Sequence, residues 1–234
     1  MSTEPPATRY PNFDALSSEL ALRVAAILRD AIAQRGSASL AVSGGKSPVR
    51  LFEHLRTQRL DWNRVNIALV DERWVAPSDP SSNEKLVREH LMRDAAAAAR
   101  FVGLKNDAPT PQAGAAVSWK GFATVPRPLD LVVLGMGEDG HTASLFPKSP
   151  QLATALDHTA APCCIGMVSP SAPQARLSLN LAALLDSRRI VFLLGGDAKW
   201  KVYVAASQAG PTEEMPVRAV LRQQHTPVEV TWAP

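Results

Sequence analysis

Leu129-Asp130-Leu131-Val132-Val133-Leu134-Gly135-Met136-Gly137-Glu138-Asp139-Gly140-His141-Thr142 is the stretch on which the rest of the chain turns. An apolar run of strand length ends in three glycines that enclose an aspartate, and a histidine follows at once. Glycine at such a turn allows positive φ and lets a ligand approach the main chain. Ligands in open α/β sheets bind beyond the carboxyl ends of strands, where this loop belongs. Asp139 and His141 are therefore the first candidates for chemistry. Gly135, Gly137 and Gly140 also match G-x-G-x-x-G, the dinucleotide fingerprint. That fingerprint requires a full helix after the third glycine and an acid closing a second strand about 20 positions on. Pro147 and Pro150 break such a helix early, and Asp157 follows no convincing strand, so a dinucleotide site is rejected.

Upstream of this stretch the chain repeats the strand–loop–helix pattern. Apolar residues at Phe13, Leu16, Leu20, Val24, Ile27 and Ala31 predict a helix over 13–35, stopped by Gly36. Residues 39–42 predict a short buried strand that runs into Ser43-Gly44-Gly45-Lys46-Ser47-Pro48, and a helix follows over 49–56. Strand, glycine-rich turn and helix N-terminus make an anion site, because free N–H groups and the helix dipole both favour negative charge. It is not a nucleotide P-loop, since that motif needs glycine where Leu40 stands. Residues 65–70 predict a second strand, closed by a loop of Asp71-Glu72-Arg73-Trp74-Val75. Charges at the end of a buried strand are costly unless paired or facing a cleft. An ion pair of Asp71 or Glu72 with Arg73 is the expectation for at least one of the acids. Ser81-Ser82-Asn83 is expected to cap a helix running to about Ala99. Residues 100–128 predict one strand and one helix at most.

Downstream, 163–168 predicts a strand, Leu181, Leu184 and Leu185 mark a helix, and 189–194 a strand that ends in Gly195-Gly196-Asp197-Ala198-Lys199. A helix from about Lys199 to Ser207, a short helix over 217–222 and a last strand over 228–232 complete the pattern. Such repetition predicts one α/β domain over residues 1–234, a doubly wound, mostly parallel sheet flanked by helices.

Composition narrows the function classes. Of 234 residues, 46% are hydrophobic and 20% charged, the balance of a chain able to bury a core. Lysines and arginines are spread out and the net charge is only +3, so no nucleic-acid partner is expected. The N-terminal stretch 1–11 lacks the apolar core of a signal peptide, and no apolar run approaches the roughly 18 residues that span a bilayer. A cytoplasmic protein without a membrane partner is the expectation. Cys163 and Cys164 read as buried strand thiols, and no metal-ligand spacing occurs, so no metal is expected.

In a parallel sheet the loops at Ser43, Asp71, Asp139 and Gly195 emerge on one edge and converge. Arg73, Arg176 and Lys199, with the amides of Ser43, Gly44, Gly45 and Lys46, suit a phosphomonoester carrying about two negative charges. His141 can exchange a proton with water, and Asp139 can orient it or meet substrate hydroxyls. Ser144 lies close in sequence, but G-x-S-x-G is absent and neighbours on one loop rarely form a relay, so water is preferred as nucleophile.

These residues resemble the 6-phosphogluconolactonase family, within the superfamily that also holds glucosamine-6-phosphate deaminases. The likeness rests on Ser43-Gly44-Gly45 with Pro48, Asp71-Glu72-Arg73 with Val75, and Ser82-Asn83. It continues through Gly135-Met136-Gly137, the string Asp139-Gly140-His141-Thr142-Ala143-Ser144-Leu145-Phe146-Pro147, Arg176 with Ser178, and Gly196 with Lys199. The resemblance implies hydrolysis of 6-phosphoglucono-δ-lactone in the pentose phosphate pathway without a cofactor. It implies that His141 moves the proton with Asp139 beside it. The phosphosugar would be bound by Ser43–Lys46, Arg176 and Lys199, with Asp71 and Arg73 at the same site. Deaminases of the superfamily carry asparagine-glutamate-proline after the histidine loop, whereas Leu145-Phe146-Pro147 stands here. A non-catalytic sugar-phosphate sensor is the reading from another class. A monomer or small homo-oligomer is expected.

Overall fold

The buried strands β2 (Ala38–Val42) and β6 (Leu131–Leu134), numbered in chain order, lie side by side and parallel in the large sheet. The structure is a computed structural model that describes residues 6–170 and 173–234. Residues 1–5 of the N-terminal stretch, with Ser171 and Ala172, lie outside the described residues. The large sheet has seven parallel strands in the order β1 (Thr8–Arg9), β10 (Val228–Ala233), β9 (Ile190–Gly195), β6, β2, β3 (Val65–Leu69) and β5 (Arg100–Val102). The chain winds outward from β2 through β3 to β5, then returns to β6 and winds the other way. The reversal falls between β2 and β6, and at such a switch point two loops diverge and leave a crevice.

The helices are α1 (Phe13–Arg35), α2 (Pro48–Leu55), α3 (Asn83–His90), α4 (Pro111–Phe122), α5 (Leu152–Leu156), α6 (Leu181–Leu185), α7 (Asp197–Ser207) and α8 (Val217–Arg222). Helix α1 has the predicted bounds. Asn12 caps it by accepting from Ala15 N–H at 2.8 Å, and Gly36 closes it at φ 81°. Its stripe of Leu16, Leu20, Val24 and Leu28 is fully buried, each side chain worth roughly 1.5–3 kcal/mol. At the foot of β6 the buried Asp130 accepts from Arg35 at 2.6 Å and from Ser39 N–H at 2.8 Å, which pins β6 beside β2.

The expected loop 71–75 is partly a strand. At Val70 the chain leaves the large sheet and enters a second sheet of three antiparallel strands, β4 (Asp71–Arg73), β8 (Arg176–Leu179) and β7 (Cys164–Met167). Strand 163–168 therefore belongs to this sheet, not to the parallel one. The expected ion pair with Arg73 is also absent from the described contacts of both acids. Glu72 instead accepts the N–H groups of Arg73, Asn83 and Glu84 at 2.7–2.8 Å and the Ser82 hydroxyl at 3.1 Å, so it caps α3 from outside. Burial drives its carboxyl above the usual range, against the lowering effect of those three amides. Helix α3, expected to reach about Ala99, stops at His90, and Asp94–Ala98 form a separate 3₁₀ turn whose first residue, Asp94, takes positive φ. Helix α7 starts two residues earlier than expected, which puts Lys199 in its first turn.

Candidate active site

A cleft of about 390 Å³ opens at the carboxyl ends of β2 and β6 and extends over the small sheet. It is lined by Ser43, Gly44, Gly45, Asp71, Arg73, His141, Arg176 and Lys199, eight of the ten residues singled out in the sequence. The two others lie close by. Asp139 touches His141 from behind, while Lys46 is exposed and lines a narrow pocket that continues from the Ser43 turn.

The loop after β6 is built to present an imidazole. Gly140 turns at φ 77°, and Gly137 N–H donates to His141 O at 2.9 Å, closing a tight turn. Asp139 Oδ1 lies 2.5 Å from His141 Nδ1 and also accepts the His141 amide at 3.1 Å. Burial alone raises the Asp139 carboxyl, but the hydrogen bonds and charge of His141 outweigh it and hold the group below the usual range. With Nδ1 engaged, Nε2 is the ring nitrogen left for chemistry. The ring packs against Gly137 so closely that no Cβ fits there.

Beyond His141 the loop is anchored to the small sheet. Ala143 takes φ 48°, an unusual conformation for a residue with a Cβ, costing roughly 1–2 kcal/mol. That turn brings Ser144 into reach of two partners: its hydroxyl donates to Asp71 Oδ2 at 2.6 Å, and its N–H to Ser178 Oγ at 3.2 Å. Both bonds are buried, and they offset the strain.

The small sheet supplies positive charge. Its register sets Arg73 directly opposite Arg176. Like charges facing each other across strands are destabilising by themselves. Arg176 is only 8% exposed, and the Nε of each arginine is buried without a hydrogen-bond partner. Burial first, and then the Arg73 charge, push the Arg176 guanidinium below its ordinary value despite Asp71 and Glu72 nearby. Lys199 Nζ, also shifted down by burial, donates to Ser47 Oγ at 3.2 Å across the mouth of the Ser43 turn. Three partly desolvated cations beside a helix N-terminus make a strong site for a compact dianion. Among the described residues, no group of three or more His, Cys, Asp or Glu has the arrangement of a metal site.

The family model described as glucosamine-6-phosphate isomerases/6-phosphogluconolactonase matches residues 11–232. The chain belongs to this family. A 6-phosphogluconolactonase of Rhizobium meliloti is 44% identical over 225 residues, covering 96% of this chain and 97% of the relative. One from Pseudomonas aeruginosa is 44% identical over 215 residues, with 92% and 89% covered. The crystal structure of a 6-phosphogluconolactonase from Shewanella baltica superposes with a TM-score of 0.95 at 44% identity and covers both chains fully.

Within this family fold, the cleft holds residues that the sequence alone did not single out for chemistry. Asn83, the first residue of α3, donates to Asp71 O at 2.9 Å and accepts from Arg73 Nη1. It fills the space where Gly44 would carry a Cβ, so it links the Ser43 turn to the arginine. Phe146 is 4% exposed with its ring centroid 4.5 Å from that of His141. Glu138 and Met136 complete the lining. Spacing gave no signal for Asn83, which reaches the cleft through contacts with distant segments, while a tight turn over Thr142–Leu145 returns Phe146 to the His141 ring.

Proposed function

We propose that the chain hydrolyses 6-phospho-D-glucono-1,5-lactone to 6-phosphogluconate, with His141 as the proton-transfer residue. The observation that carries this reading is the Asp139–His141 pair opening onto the same cleft as Arg73, Arg176 and Lys199. Family membership and close likeness to 6-phosphogluconolactonases support the substrate. The phosphate would bind among the three cations and the amides of Ser43, Gly44 and Gly45, with Lys46 at the rim. Binding energy from this remote group would then serve to orient the lactone carbonyl. Asp71 lines the same cleft, where its carboxylate is held by Ser144.

His141 Nε2 accepts a proton from water as the water oxygen bonds to C1. As the tetrahedral intermediate collapses, the bond from C1 to the ring oxygen breaks and the imidazolium returns its proton to that oxygen, which becomes the C5 hydroxyl. Asp139 holds the ring and stabilises the transient positive charge. A charged phosphosugar does not cross a bilayer unaided, which supports a cytoplasmic location, and among the described residues no helix is long and apolar enough to span one. The reading includes a single domain, a monomer or small homo-oligomer, and neither a cofactor nor a nucleic acid. The deaminase alternative is disfavoured by the apolar Phe146 in a position where that chemistry uses an acid.

The test generates the lactone with glucose-6-phosphate dehydrogenase and follows acid release above the spontaneous background. Acceleration that falls about 10²–10⁴-fold in His141→Ala, with folding intact, is expected. Wild-type turnover in that variant would overturn the assignment of His141. No acceleration by the wild type, with phosphogluconate still bound, would favour a sensor.

A further inference from the structure

His141 is held at three points, all of them in the loop between β6 and α5. Asp139 fixes Nδ1, and the Cα of Gly137 supports one part of the ring. The third is Phe146, whose ring lies 4.5 Å from the imidazole, centroid to centroid, tilted by 44°. Phe146 is almost wholly buried, yet it lines the cleft. The Arg176 guanidinium carbon lies over the same phenyl ring, 5.8 Å from its centroid. One aromatic ring thus touches the proton-transfer histidine and borders a cation of the phosphate site. An aromatic face attracts cationic groups and stacks on planar ones. An aliphatic side chain of similar size would fill the space without either preference.

We propose that Phe146 is a positioning residue for the hydrolysis: it holds the His141 ring in the orientation that points Nε2 at the substrate, and couples that orientation to the guanidinium of Arg176. This rests on the assignment of His141 above. The side chain donates and accepts no proton. Its effect belongs in kcat, because substrate affinity is set by the cations and the Ser43 turn. A hydrogen bond to Asp139 alone leaves the imidazole free to swing about the axis of that bond, and Phe146 together with Gly137 confines this motion.

The test compares wild type with Phe146→Leu, Phe146→Met and Phe146→Tyr. The leucine and methionine variants are expected to lose at least about tenfold in kcat, with KM within about threefold of wild type. The tyrosine variant, which keeps the ring, should recover most of the loss. A kcat unchanged in both aliphatic variants overturns the proposal, as does an equal loss in the tyrosine variant. A measurement without mutation guards against misfolded variants: in the wild type, NMR of ¹⁵N-histidine-labelled protein should show the His141 ring protons displaced by the ring current of Phe146. Adding inorganic phosphate should move those signals through Arg176. Undisplaced His141 ring protons that ignore phosphate overturn the proposal. Failure of the parent assignment looks different, since His141→Ala would then retain turnover while the NMR contact persisted.

Discussion

Gly137→Ala isolates the geometry of the histidine from the stability of the fold. A Cβ at this position would stand 2.7 Å from Asp139 Oδ1 and nearer still to Nδ1 and Cε1 of His141, whereas ordinary contact begins at 3.4 Å. The Asp139–His141 pair must give way by roughly 1 Å, a displacement of the size that costs about 10²-fold in rate, or about 2.7 kcal/mol of transition-state stabilisation. The backbone itself accepts alanine, because Gly137 is not among the positive-φ glycines. Replacing glycine where φ allows it trims the entropy of the unfolded chain and stabilises by about 0.4–1 kcal/mol. The melting temperature should therefore hold or drop by only a few degrees while kcat collapses. The assay is lactone hydrolysis at saturating substrate, with a thermal melt of the same preparation. An alanine variant within threefold of wild-type kcat would refute the claim that ring position against Gly137 controls the chemistry. A loss of melting temperature parallel to the loss of activity would refute it equally.

Gly44→Ala drives a Cβ to 2.8 Å from Asn83 Nδ2 and closer to its carbonyl, so Asn83 must release Arg73; KM should rise about tenfold or more with kcat changed less, measured by steady-state kinetics. Glu72→Gln turns an amide NH₂ toward donors that now meet carboxylate oxygens, and should destabilise by about 1–3 kcal/mol, a fall of a few degrees in Tm. The pH dependence has a definite sign. Because burial raises the Glu72 carboxyl above its unfolded value, its contribution is fullest below the ordinary carboxylate pKa and declines as pH rises through the raised one. Glutamine does not titrate, so the Tm gap between wild type and Glu72→Gln should narrow over that rise. A gap that widens with pH would contradict the burial argument.

Much of the site was legible because it is local. The stretch 129–142 carries its strand, its glycine turn and its Asp139–His141 pair within one short segment, and the structure keeps them in contact at 2.5 Å. The same holds for Ser43-Gly44-Gly45 between β2 and α2, since strand, turn and helix start are written in adjacent periodic segments. Three-residue Asp71–Arg73 was another matter. Polar and short, it shows no alternation that marks a strand, and only its antiparallel pairing with β8 across about a hundred residues makes it one. The end of α3 at His90 was equally hidden, for the alanine run beyond it favours helix while the chain must turn to reach β5.

The sequence by itself determined the parallel strand–loop–helix order, the glycine-rich turn after β2 and the Asp139–His141 contact after β6, because each depends on residues that are chain neighbours. Only the tertiary structure decided that Arg73 faces Arg176, that Asn83 packs on Gly44 and that Phe146 rests on His141. The first two contacts join segments dozens of residues apart and the third folds one loop back on itself, and their energies arise only when burial strips water from both partners at once.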